Sequence, residues 1–112
     1  MKEEVKRWME IAEEDFETAK ANFEIKKYRF ASYLCQQSTE KAFKAVLLKK
    51  TGQIRKIHDL VELGKNIGLP SNFLDEVKEL TLAYIYSRYP AVEQAHNLKH
   101  KANHFLEIAE RC

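Results

Sequence analysis

Three groups of residues carry side chains suited to chemistry, and their spacing decides which chemistry. The first is CQQSTEKAFKAVL, residues 35–47, where Gln37, Glu40, Lys41 and Lys44 gather in one sector of a helical pattern. The second is YIYSRYP, residues 84–90, with three tyrosines around Arg88. A guanidinium is a planar fork for phosphate, and aromatic rings are surfaces on which a base stacks. The third is His96, His100 and His104, spaced at four-residue intervals. HxxxH on a helix holds zinc when further ligands close the shell, and Glu93 or Glu107 offers an oxygen.

Each group has a plainer reading. The cluster of Gln37, Glu40, Lys41 and Lys44 reads as one polar face turned to water, with Lys41 as the exception. Lys41 falls between Leu34 and Leu48 at the edge of the apolar face, where an ammonium must reach water or an acid. Asp15 falls between Ile11 and Trp8 inside an apolar stripe, and a carboxylate there needs a cation or several donors. Lys41 and Arg88 are the candidate cations. Asp15 with Lys41 reads as a structural polar pair that sets helix register, and a functional polar pocket between the helices is the alternative. YIYSRYP is either an aromatic corner between two helices or an anion clamp. An open helix face rarely completes a closed coordination shell, so the histidines read as a solvated or partner-facing stripe, and neither a metal nor a cofactor is expected. His58 stands just before a helix start, where capping or packing is the ordinary role. Binding an anion beside Arg55 and Lys56 is the alternative.

The elements that must position these residues are helices. Val5, Trp8, Ile11, Ala12, Phe16, Ala19 and Phe23 form one stripe at the helical period, predicting a helix from about Glu3 to Lys26. A second helix, apolar over much of its circumference, is predicted from about Arg29 to Lys50 and stopped by Gly52. A basic loop, TGQIRKIH, leads to a short helix from Asp59 to about Ile67, ended by Gly68 and Pro70. Ser71 or Asn72 caps a short fourth helix through about Ala83. Pro90 opens a long last helix, Ala91 to about Arg111. Helices joined by short connections predict an all-α, antiparallel up-and-down bundle with three long and two short helices.

Composition agrees. The chain has 112 residues, one domain's worth, and only three glycines and two prolines to interrupt helices. Its two cysteines, Cys35 and Cys112, form no spaced framework, which points to a reducing compartment. The acid-rich start MKEEVKRWMEIAEEDFE does not read as a signal peptide, and no run reaches the ~18 apolar residues of a membrane span. A cytoplasmic protein is expected. The net charge of +2 is unevenly placed: residues 1–26 carry −3, residues 27–65 carry +6 and residues 66–112 carry −1. A basic middle meets phosphate, or it balances the acidic ends within the fold.

In sequence order, WMEIAEEDFETA, YLCQQSTEKAFKAVL, KIHDLVEL and SRYP make a fairly specific combination. Across almost its whole length the chain resembles HEPN-domain proteins (higher eukaryotes and prokaryotes nucleotide-binding). The resemblance implies a helical bundle, commonly a homodimer. It implies nucleotide or RNA binding, often beside a minimal nucleotidyltransferase in a toxin–antitoxin-like pair. Many members of the family are toxin ribonucleases that pair two Arg-x4-6-His motifs across the dimer. The positions that match the family pattern are Gln37, Glu40, Lys41, Lys44, His58, Arg88, Tyr89 and Pro90. The nucleotide- or RNA-binding set implied is Lys41, Lys44, His58, Arg88 and Tyr89. A ribonuclease would use Arg88 and His96, but seven residues separate them, so the spacing departs from the motif. The resulting expectation is a binding module. A toxin that cleaves RNA and a purely structural interaction protein are the alternatives. A nuclease needs both Arg88 and His96, a binding module needs the cation and the tyrosines, and a structural protein loses assembly alone.

Overall fold

The computed structural model describes residues 2–53, 59–88, 102–104 and 106–107, excepting the side chains of residues 2 and 82–88. Four helices are described: α1 (Lys2–Glu24), α2 (Tyr28–Thr51), α3 (Leu60–Asn66) and α4 (Ser71–Arg88). Residues 102–104 and 106–107 are also helical, within the predicted last helix. No strand occurs among the described residues, and the architecture is an all-α bundle.

Glu3 and Glu4 in the first turn of α1 complement the positive end of its dipole. The helix stops at Glu24, two residues before the predicted end. Lys26 adopts a left-handed conformation (φ 65). The Lys26 amide donates to the Phe23 carbonyl (3.0 Å) and the Lys27 amide to the Asn22 carbonyl (2.7 Å), the paired bonds of a Schellman cap. Three residues, 25–27, therefore reverse the chain, and the edge-to-face contact of Phe23 with Tyr28 (ring centroids 5.3 Å apart) braces the turn. The tight reversal lays α1 along α2.

Helix α2 is the centre of the bundle, in contact with α1, α3 and α4. It ends at Gly52 (φ 75), whose amide donates to the Leu48 carbonyl. Asp59 caps α3 by accepting from the amides of Val61 (2.9 Å) and Glu62 (3.3 Å). At the other end of α3, Lys50 Nζ donates to the Ile67 carbonyl (2.8 Å), tying the end of α2 to the end of α3. The Pro70 carbonyl accepts from Phe73 and Leu74, so α4 begins at Ser71 itself. The core joins Ala19 of α1, Cys35, Phe43 and Leu47 of α2, Leu60 and Leu63 of α3, Ile67, and Val77 and Leu80 of α4, with Leu106 packed against them.

Besides the end of α1, two sequence expectations differ from the structure. The fourth helix is not short: it runs five residues beyond Ala83, to Arg88. Residues 84–88 of YIYSRYP are thus helical rather than a corner. Nothing in TLAYIYSR breaks a helix, and the first stop signal is Pro90, which disfavours helical backbone at the residue before it. The second correction concerns α2, whose polar cluster is not a wet face. Glu40 and Lys44 are each only 6% exposed, whereas Val46 on the expected apolar side is 36% exposed. Helix α1 covers the polar sector that the periodicity assigned to water. No described helix is long and apolar enough to cross a membrane.

A non-glycine residue in the left-handed region costs roughly 1 kcal/mol. Lys26→Gly is expected to raise stability by up to about 0.5 kcal/mol, the gain in cap geometry being offset in part by unfolded-state entropy. Urea unfolding monitored by circular dichroism checks this, and a lower midpoint would contradict it.

Candidate functional site

Because α1 and α2 run antiparallel, the polar residues of α2 face α1 across one seam. Side chains on a helix tilt toward its N-terminus. Ser38 Oγ donates to the Ala12 carbonyl (2.8 Å). Lys41, one turn further along α2, leans back past this contact toward the C-terminal half of α1. There its Nζ lies 2.6 Å from Asp15 Oδ2, a short charge-assisted bond between side chains 23% and 21% exposed. The structure thus joins Asp15 to Lys41.

Next on the seam, Lys44 Nζ lies 3.2 Å from Glu40 Oε2, with both side chains 8% exposed. Its ammonium also sits 5.7 Å from the centre of the Trp8 ring, within cation–π range. Removing an ammonium from water this far is costly unless a carboxylate and a polarisable surface replace the water. Glu40 and Trp8 do so. The i,i+4 spacing of Glu40 and Lys44 is visible in the sequence, but the burial that gives it weight comes from α1. Trp8 belongs to the apolar stripe, and its role over Lys44 has no signal in the periodicity.

The seam is therefore electrically closed: two ammonium groups meet two carboxylates. The other side of α2 is chemically quiet. Cys35 is fully buried, and burial pushes its thiol up from 9.0 to about 12, so the nucleophilic thiolate is suppressed. Thr39 Oγ1 donates back to the Cys35 carbonyl (3.0 Å) and needs no ligand.

Among the other residues singled out by sequence, Arg88 is the last residue of α4. His58, Tyr89, Pro90, His96 and His100 lie outside the described residues. His104 is half-exposed, and its Nε2 pairs with Glu79 Oε2 of α4, while Nδ1 lies 3.9 Å from Glu107 on its own helix. One member of the histidine stripe thus faces the neighbouring helix. No group of three or more His, Cys, Asp or Glu side chains suited to a metal ion occurs among the described residues.

The Asp15–Lys41 pair is intermediate between exposed pairs, worth under ~1 kcal/mol, and fully buried ones, whose disruption costs about 3–5 kcal/mol. Asp15→Asn and Lys41→Met are each expected to destabilise by about 1–3 kcal/mol. In a double-mutant cycle they should couple by at least about 0.5 kcal/mol. Strictly additive effects in denaturant melts would show that the seam does not depend on this pair.

Comparison with known proteins places this geometry in a family. A crystal structure of an archaeal HEPN homologue superposes with a TM-score of 0.75 at 29% sequence identity, covering 96% of this chain and 89% of that one. A crystal structure of a Thermus thermophilus protein superposes with a TM-score of 0.70 at 23% identity, covering 96% of each chain, a likeness of fold. No curated protein matches the chain. The HEPN domain model matches residues 5–112, nearly the full length, taking in most of α1 and all of α2, α3 and α4. This chain belongs to the HEPN domain family.

Proposed function

We propose that this chain is a nucleotide- or RNA-binding HEPN module. In this reading its ligand contacts are Arg88, Tyr89 and His58, while Lys41 and Lys44 hold the bundle together. The family supports the first part, since HEPN domains have nucleotide- and RNA-related roles. The observation that carries the second part is the pairing of both α2 lysines. Lys44 is 6% exposed and held by Glu40 and Trp8, and Lys41 is held by Asp15. A cation already neutralised inside the fold adds little attraction for phosphate. Arg88 ends α4 and carries the forked guanidinium that phosphate recognition uses.

Binding without efficient cleavage is favoured over a ribonuclease. A general base or acid must sit within about 3 Å of the proton it moves. In a continuous helix, Arg88 and His96 would be ~12 Å apart along the axis, and Pro90 stands between them. The assembly proposed is a cytoplasmic homodimer. A minimal nucleotidyltransferase is its proposed protein partner, in a toxin–antitoxin-like pair. No cofactor is required.

Purified protein incubated with labelled single-stranded RNA, beside Arg88→Ala and His96→Ala variants, tests the reading. The expected result is binding lost in Arg88→Ala and retained in His96→Ala, with little cleavage by any of the three. Robust cleavage abolished by His96→Ala would establish the toxin instead. Sedimentation equilibrium at micromolar protein is expected to show a dimer. The large apolar residues of α1 (Val5, Trp8, Ile11, Phe16 and Phe23) are only partly buried within one chain, and a second subunit is the natural cover. A monomer throughout that range would remove the dimer from the proposal.

A further inference from the structure

The α1–α2 turn carries a feature that neither the seam nor Arg88 accounts for. Lys26, Lys27 and Arg29 cluster within four residues, and none of them makes an ion pair among the described residues. This sets them apart from Arg7, Lys20, Lys41 and Lys44, each of which lies within 4 Å of a carboxylate. The first turn of α2 holds no acidic residue to neutralise them, and Glu24 is the nearest acid in sequence. Two apolar side chains stand exposed beside these cations: Ile25 at 65% and Phe30 at 56%. The Arg29 guanidinium lies 5.9 Å from the centre of the Phe30 ring, and Arg29 Nε is buried without a hydrogen-bond partner. The tip is held in shape by its paired cap bonds and by the Phe23–Tyr28 contact, so these groups are displayed on a fixed frame.

From this we infer that the α1–α2 tip is a contact surface for single-stranded RNA. Phosphates meet Lys26, Lys27 and Arg29, and one base stacks on the open side of Phe30. Charge complementarity selects a polyanion. The exposed ring, backed by a guanidinium, selects one that also carries flat faces, since base–aromatic stacking tolerates any sequence. A membrane surface fits less well, because an interfacial helix needs a long apolar stripe and the tip offers only two exposed apolar side chains. The surface lies apart in sequence from Arg88, and a strand touching both would be read at two points. The inference rests on the proposed RNA-binding role and extends it to new residues.

The test is fluorescence anisotropy with a short labelled oligouridylate, using wild type, Phe30→Ala, Phe30→Tyr, Lys27→Gln and Arg88→Ala. Circular dichroism confirms that each variant is folded. Phe30→Ala is expected to weaken binding about tenfold, within the range of one lost stacking contact, and Phe30→Tyr to restore it. Lys27→Gln is expected to reduce the slope of log K against log salt by about 0.7, one phosphate contact's share on a single strand. Binding that falls in Arg88→Ala but is unchanged in both Phe30→Ala and Lys27→Gln would overturn the inference and leave the proposed function standing. Loss in the tip variants with Arg88→Ala unaffected would support the inference and remove Arg88 from the site. No binding by the wild type would end both. Tip-dependent binding to phosphatidylserine vesicles without any to oligouridylate would overturn the inference in favour of a membrane contact.

Discussion

The arrangement of this bundle depends on one constraint: α2 is covered on the side where its sequence is charged. A helix buried on several sides is ordinarily apolar on all of them. Here Glu40 and Lys44 neutralise one another beneath Trp8, Lys41 reaches Asp15, and Ser38 bonds the Ala12 carbonyl. Hydrophobic packing alone tolerates small slips between helices. A row of directional contacts does not, because a shift of one turn would separate charges that have left water. The seam therefore fixes how far α1 slides along α2. The three-residue reversal at residues 25–27 shortens the search for that register.

The same constraint sorts the cations of the chain by role. Lysines within the seam are neutralised by carboxylates and contribute little to the outer field. Lys50 caps the Ile67 carbonyl and joins α2 to α3. The excess positive charge of residues 27–65 is thus partly internal balance, as Lys41 and Lys44 show. Its unpaired share includes the exposed Lys27 and the half-buried Arg29. This division separates cations that build the domain from cations that make no ion pair among the described residues.

Helix boundaries were legible wherever a local stop or start signal exists. Gly52 ends α2, Asp59 begins α3 and Gly68 follows it, since left-handed caps and side-chain caps are chemistry within a few residues. The end of α1 was misplaced because the left-handed cap residue is Lys26, not glycine. The end of α4 lies beyond the expected Ala83 because nothing in residues 84–88 stops a helix, and the nearest true stop signal is Pro90.

By itself the sequence determined the all-α class, most helix ends and the family, because periodicity, caps and short motifs are local properties. It also marked Asp15 and Lys41 as charges in unfavourable positions, since an ionised group inside an apolar stripe demands a partner wherever that partner lies. Only the tertiary structure decided that Lys41, among the available cations, meets Asp15. Only it decided that Glu40 and Lys44 lie beneath α1 instead of in water, and that the basic turn stays unpaired. The reason is physical: which sector of a helix is wet depends on the helix laid against it, and a helical period read along one strand of sequence carries no record of that neighbour.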